Sequence, residues 1–132
     1  MNEPAASRMG ELVRVLRELN DQGGFLVSVL TDQAGLLIAS AGAEGQDAEA
    51  QAAVVALVRK TAGHVREQLG MATTDEISVF DTGGRRLVCR LFDAGSHGYV
   101  LAVMVPVRRK PYRLLTNRAV SALRPSLSSL ME

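Results

Sequence analysis

The sequence predicts an α/β (α+β) fold: a three-layer sandwich with a five-stranded antiparallel sheet and helices on both faces, in the order α-ββ-α-βββ-α. Three observations predict it. Three segments repeat apolar residues at helical spacing, and five short segments are rich in strand-type residues. Hairpin-type turns separate strands in both halves of the chain. Two strands, Phe25–Leu30 and Tyr99–Val105, are apolar at nearly every position, so both faces of the sheet need a cover.

Residues 1–6 are expected to be a short mobile lead, with Ser7 placed to cap the first helix. Met9, Leu12, Val13, Leu16 and Leu19 then recur at spacings of three and four, while Arg14 and Glu18 sit four apart on the wet face. Asn20-Asp21-Gln22-Gly23-Gly24 stops this helix. Phe25–Leu30 is the first strand, and Thr31-Asp32-Gln33-Ala34-Gly35 is the turn, in which Asp32 bonds backbone amides and Gly35 takes positive φ. Leu36–Ala39 returns, and Ser40–Gln46 is a Gly/Ala-rich loop. The longest helix is Asp47–Leu69, ending at Gly70.

Glu76–Phe80 is the third strand, followed by the turn Asp81-Thr82-Gly83-Gly84. In Arg85–Phe92, Leu87, Cys89 and Leu91 alternate against Val88, Arg90 and Phe92. Asp93–Gly98 reads as a turn, and Tyr99–Val105 as the central strand, ended by Pro106. After the basic loop Arg108-Arg109-Lys110, Pro111 suits a first helical turn. Leu115, Ala119, Ala122 and Leu123 mark the last helix. Pro125 should kink or end it, although Leu127 and Leu130 would continue it.

With 132 residues, the chain makes one domain, 1–132. It is 47% hydrophobic and 22% charged, the composition of a globular protein. Fifteen basic residues nearly balance fourteen acidic ones, and three Phe, two Tyr and no Trp give no stacking platform. Nucleic acid is not an expected partner. No apolar run approaches the roughly 18 residues of a membrane span, no signal peptide is visible, and the single cysteine excludes an internal disulfide. A cytoplasmic location is expected.

The helix Asp47–Leu69 predicts a dimer. Val54, Leu57, Val58, Ala62, Val65 and Leu69 form one stripe, assigned to the protein's own sheet. A second stripe of small residues, Ala48, Ala52, Ala56 and Gly63, would let a twin helix approach to roughly 8 Å. The bland alternative is that alanine is simply the best helix former. If strand Glu76–Phe80 lies at the sheet edge, it can pair with its symmetry mate. The expected dimer interface is Ala48, Ala52, Val55, Ala56, Arg59, Gly63, Ile77 and Val79.

From about Met9 to Leu127 the chain resembles the Roadblock/dynein light chain family, including its prokaryotic, MglB-like members. The resemblance is carried by Phe25-Leu-Val-Ser-Val-Leu-Thr-Asp-Gln-Ala-Gly-Leu-Leu-Ile-Ala-Ser40, by the long Ala-rich helix, by Tyr99–Val105, and by the order of elements. It implies a profilin-like sandwich and a homodimer with one sheet across both subunits. It also implies business with Ras-like small GTPases, whose hydrolysis prokaryotic members promote. Asp32 and Gly35 would map onto the family's first hairpin, and Ala52, Ala56 and Arg59 onto its paired-helix face.

The expected function is a non-enzymatic, homodimeric regulator of such a GTPase. A dynein-light-chain-like scaffold and a small-molecule sensory module are the alternatives; the second would need convergent buried polar groups, and the few candidates, Ser28 and Arg90, speak against it. No catalytic residue, metal site or cofactor is expected. There is no phosphate-binding Gly-x-x-x-x-Gly-Lys-Ser/Thr loop, Gly83-Gly84 fits a hairpin turn, Cys89 reads as a buried apolar residue, and His64 and His97 are isolated. The candidate partner contacts are Arg59 and the basic cluster Arg108, Arg109, Lys110 and Arg113, for which a solvated loop is the plainer reading. An arginine delivered into a GTPase would be Arg59 or Arg85.

Overall fold

The computed structural model describes residues 5–42, 48–107 and 110–130. The elements are α1 (Ala5–Gly23), β1 (Val27–Asp32), β2 (Leu37–Gly42), α2 (Ala48–Leu69), β3 (Glu76–Phe80), β4 (Arg86–Ala94), β5 (His97–Val105) and α3 (Arg113–Leu130). The order is the predicted one. The five strands form one sheet in the order β2-β1-β5-β4-β3, every neighbouring pair antiparallel. The doubly apolar β1 and β5 are interior strands, and β2 and β3 are the edges.

Strand alternation sorts the core into two layers. Leu30, Val88, Phe92, Leu101, Val103 and Val105 point to the face covered by α1 and α3, which contribute Leu12, Leu16, Leu19, Ala119, Leu123 and Leu127. Val27, Val29, Cys89, Val100 and Ala102 point to the other face, where α2 places Ala52 and Val55. The predicted helix 7–19 is longer at both ends. Ser7 lies inside α1 and does not cap it, and Asn20–Gly23 form its last turn. The helix stops because Gly24, at φ 63°, lets the Phe25 N–H reach back 3.0 Å to the Asn20 carbonyl. The expected mobile lead lies mostly outside the described residues, as does residue 47, where the long helix was expected to begin.

In the first hairpin, Asp32 Oδ1 accepts from the N–H groups of Ala34 and Leu36, both at 2.9 Å, as the turn chemistry predicted. The returning strand runs through Gly42, so Ser40, Ala41 and Gly42, expected to open the Gly/Ala-rich loop, belong to β2, and the rest of that loop lies outside the described residues. The expected six-residue turn 93–98 is a tight one instead. β4 and β5 pair as far as Ala94 and His97, so only Gly95 and Ser96 turn the chain. α3 carries through Pro125, which with Ser121 lies on the wet side, and Leu127 beyond it is fully buried. Ala122, read as a core position, is exposed; Thr116 and Val120 take the inward places.

The hairpin and α2 meet at Gly35. A Cβ there would stand 2.2 Å from the Ala56 Cβ, and the backbone has φ 88°. Gly35→Ala therefore meets two obstacles, a clash and a left-handed backbone. In chemical denaturation it should cost about 2 to 3 kcal/mol. In an Ala56→Gly background the 2.2 Å contact vanishes, leaving the backbone Cα of residue 56 at 3.1 Å, and about 1 kcal/mol should remain. Equal costs in both backgrounds would refute the close packing of hairpin on helix.

Candidate functional site

α2 distributes its residues differently from the sequence-based expectation. Ala52 and Val55 are 3% and 1% exposed, pressed on the protein's own sheet. Ala56 is half-buried against Gly35. The small-residue side thus seats the helix on its own hairpin and sheet, and the interface assignment of Ala52 and Val55 is corrected on that ground. Of the larger apolar residues assigned to the sheet, Val58 packs partly buried against it, but the others face outward: Leu57 is 65% and Leu69 71% exposed, and Val54 and Val65 are exposed beside them. Gly63 is open, with nothing within 4 Å of where a Cβ would be. Ala48 begins α2, but its side chain lies outside those described.

The exposed stripe of α2 runs toward the edge strand. Between them lies an open apolar groove of about 440 Å³, walled by Leu57, Val65, Met71, Ile77 and Val79. Ile77 is half-buried on this face and Val79 exposed, consistent with their alternation opposite Cys89 and Leu87. Sequence reading found β3 and left its edge position open, and it missed Leu57, Val65, Leu69 and Met71 as surface. The signal was the surplus of large apolar residues over what one helix buries on one sheet.

The other face of β3 is polar and closely tied. Glu76, Ser78 and Phe80 stand opposite Arg90, Val88 and Arg86. Tyr112 Oη donates to Glu76 Oε2 at 2.7 Å, Arg113 Nη1 to Glu76 Oε1 at 2.7 Å, and Ser78 Oγ to Glu76 Oε2 at 3.1 Å. Arg113 also pairs with Asp75. The Arg86 guanidinium stacks between the Phe80 and Tyr112 rings, 4.5 and 4.3 Å from their centroids. Arg90 is buried; its Nη1 donates to Thr116 Oγ1 at 2.7 Å, and its Nη2 lies 3.4 Å from Asp75. Burial pushes the Glu76 carboxyl up, but donation from Tyr112, Arg113 and Ser78 and the charge of Arg113 outweigh it and hold it below its ordinary value.

The candidate contact residues do not converge. Arg113 is committed to two carboxylates, so it is not the free cation the basic cluster suggested. Arg108 and Arg109 lie outside the described residues, and Lys110 packs its ammonium beside Gly24. Arg59 is half-buried on α2, its Nη2 beside Gly98 together with Gln33 and Asp93. Arg85 lies in the β3–β4 turn, where its N–H donates to Asp81 Oδ1 at 2.8 Å. Of the buried polar pair, Ser28 donates to the Leu16 carbonyl at 3.3 Å and Arg90 belongs to the network above. Burial, with the nearby Glu76 charge, pushes the Cys89 thiol up to about 12, so its thiolate is scarce at neutral pH. His64 is exposed on α2, and His97 is exposed where β5 begins.

Compared by sequence, the chain matches no family model and no curated protein. Its backbone does match solved structures. A Roadblock/LC7 domain from Streptomyces avermitilis superposes with a TM-score of 0.73 at 19% identity, covering 91% of this chain and 98% of that one. Myxococcus xanthus MglB reaches a TM-score of 0.79 at 23% identity, covering 94% and 92%. The chain has the Roadblock fold. A further structure, described as MglB with tetrameric arrangement, gives 0.73 at 22% identity over 93% of this chain and 92% of that one. The Roadblock resemblance read from the sequence thus agrees with the fold.

In this Roadblock fold, Glu76 is the hinge pin of the edge strand. Its depressed carboxyl value means that its contribution to stability is complete above the ordinary value of 4.5 and is lost as pH falls through the lower folded-state value. Glu76→Gln should cost about 2 kcal/mol in urea denaturation at pH 7, and the gap to the unmodified protein should close only in acid below the ordinary value. A gap unchanged between pH 7 and pH 3 would remove Glu76 from this role.

Proposed function

We infer that this chain is a homodimeric, non-enzymatic platform for a Ras-like small GTPase. The observation that carries the reading is the continuous apolar surface from α2 across the groove to β3. Leu57, Val65, Leu69, Met71 and Val79 are all exposed on it. A lone protomer has no use for such a patch, and patches of this kind mark interfaces. A second copy related by a two-fold axis supplies the same surface in return, so α2 can pack on α2 and β3 on β3. The Roadblock fold and the tetrameric arrangement named for one similar structure favour self-association. Among the described residues no helix is long and apolar enough to cross a membrane, so the patch is not part of a helical span.

The pairing surface differs from the small-residue side first read from the sequence, but the logic of two covered helix sides is retained. Of the expected interface, Gly63, Ile77 and Val79 stay in the proposal, and Leu57, Val65 and Leu69 join them. Arg59 flanks the patch and is the proposed partner contact on α2. The GTPase as partner rests on the family resemblance. Hydrolysis in the complex is assigned to the GTPase, for which this chain is a regulator or a scaffold.

Sedimentation at micromolar concentration should give about twice the 14.1 kDa chain mass. Leu57→Glu should return the monomer while keeping the helical circular dichroism of the fold. A monomer from the unmodified protein sinks the reading. A Ras-like GTPase encoded beside this gene should bind the dimer and lose that binding with Leu57→Glu. A changed rate of GTP hydrolysis marks a regulator, and an unchanged rate with binding in both nucleotide states marks a scaffold.

A further inference from the structure

A second site lies on the opposite face, and nothing in the proposed platform uses it. β3 pairs with β4 only as far as Glu76 and Arg90, while β4 continues to Ala94. Beside this overhang, the segment 73–75 and the outer side of α3 line an open cavity of about 500 Å³. Volumes of 300 to 1,000 Å³ are typical of small-molecule sites. Its wall is rich in hydrogen-bond donors: Arg90, Arg124, Asn117, Ser121, Thr73 and Thr74.

Arg90 is the informative residue. Its side chain is 8% exposed. Its Nε–H is buried and has no acceptor within hydrogen-bond reach, the nearest carboxylate oxygen being Glu76 Oε1 at 3.9 Å. Its contact with Asp75 is long, 3.4 Å. A buried guanidinium with an unused N–H is expensive unless something else accepts from it. Arg124 is held in place at the opposite wall, with Nε donating to the Asp93 carbonyl at 3.0 Å and the guanidinium 5.9 Å from the Phe92 ring centroid. That bond leaves its two Nη groups for another acceptor.

Charge points the same way. Arg86, Arg90 and Arg113 gather around the carboxylates Asp75 and Glu76 on this side of the sheet, while Arg124 bonds only the Asp93 carbonyl and keeps its charge unmatched by either. Asp75 lines the cavity but is already paired with Arg113 and Arg90. Asp93 also lines it, with its Oδ1 over Gly98 at the far edge. Two guanidiniums with spare donors, amid neutral hydroxyls and an amide, match the acceptor geometry of an oxyanion.

We propose that this cavity binds a small molecule bearing an oxyanion, held between Arg90 and Arg124. The headgroup is a phosphate or a carboxylate, and two probes separate them. The chain labelled with nitrogen-15 is titrated with inorganic phosphate and, separately, with citrate, each against sodium chloride at matched ionic strength. The Arg90 Nε–H resonance should shift saturably with one or both probes, and the stronger of them names the headgroup. Arg124→Gln, at an exposed position, should weaken that binding about tenfold, the loss of one charge-assisted hydrogen bond. Arg14→Gln, on the far side of α1, should leave it unchanged. Shifts no larger than those in matched sodium chloride for both probes overturn the proposal, and so does undiminished affinity in Arg124→Gln. The measurement needs no GTPase and is read equally in monomer or dimer, so its failure leaves the platform reading standing.

Discussion

One helix cannot cover a five-stranded sheet. Strands about 4.8 Å apart make five of them roughly 20 Å wide, while a helix with its side chains is about 10 to 12 Å across. On one face α1 and α3 lie side by side, and their joint width suffices; the large core there includes Leu12, Leu16, Leu101, Leu123 and Leu127, all fully buried. On the other face α2 is alone. It buries Val27, Val29, Cys89, Val100 and Ala102 and leaves Ile77, Leu87 and Leu91 only partly covered. The asymmetry of two helices against one creates the apolar groove. The connection creates it too: α2 leaves edge β2 and must deliver the chain to edge β3, so it crosses the sheet and cannot shield either flank fully.

The sequence made the layers legible because burial on both faces leaves a short, near-continuous apolar run bounded by turn residues. Phe25–Leu30 and Tyr99–Val105 have no wet position, and they proved to belong to the interior of the sheet. The assignment of α2's faces failed for an equally physical reason. Small residues permit close approach, but they do not say to what. Ala52 and Ala56 bring the helix down on β1 and on the Gly35 hairpin, and the sequence pattern of that contact is the same as that of a helix on its twin. The hairpin 93–98 looked like a long turn because Asp93, Ser96 and His97 are polar. It is a pair of strands projecting past the end of β3, where polar side chains meet water whether or not the backbone is paired. The run of α3 past Pro125 was left open by the pattern; Leu127, fully buried, supplies the packing that carries it on.

The polar network behind β3 could not be read as a network, although Arg90 was expected to be buried. Arg90 meets Thr116 and Glu76 meets Tyr112 and Arg113 across 26 to 37 residues of sequence. Each of these residues alone looks like an ordinary helix or strand position. Only the register, which sets Glu76 opposite Arg90, and the start of α3 above them bring the group together. The same register turns Ile77 and Val79 to the groove, so one strand serves a charged network on one side and an apolar surface on the other.

The two sheet edges are built differently. β2 is irregular, with a register shift against β1 between Leu30 and Thr31, and the Asn20 side chain donates to its Ala41 carbonyl at 3.0 Å. A bulge and a side-chain cap are among the devices that keep an edge from pairing with strangers. β3 has neither lysine nor proline, and its register with β4 is unbroken. Its one charge, Glu76, is turned inward and neutralised by Arg113, so it does not guard the edge either. Such a strand, held rigidly from behind and apolar in front, is an aggregation hazard if left bare. Arg86, Arg90, Tyr112 and Arg113 fix it from behind while no such device guards its outer edge, a combination that the proposed partner strand would explain.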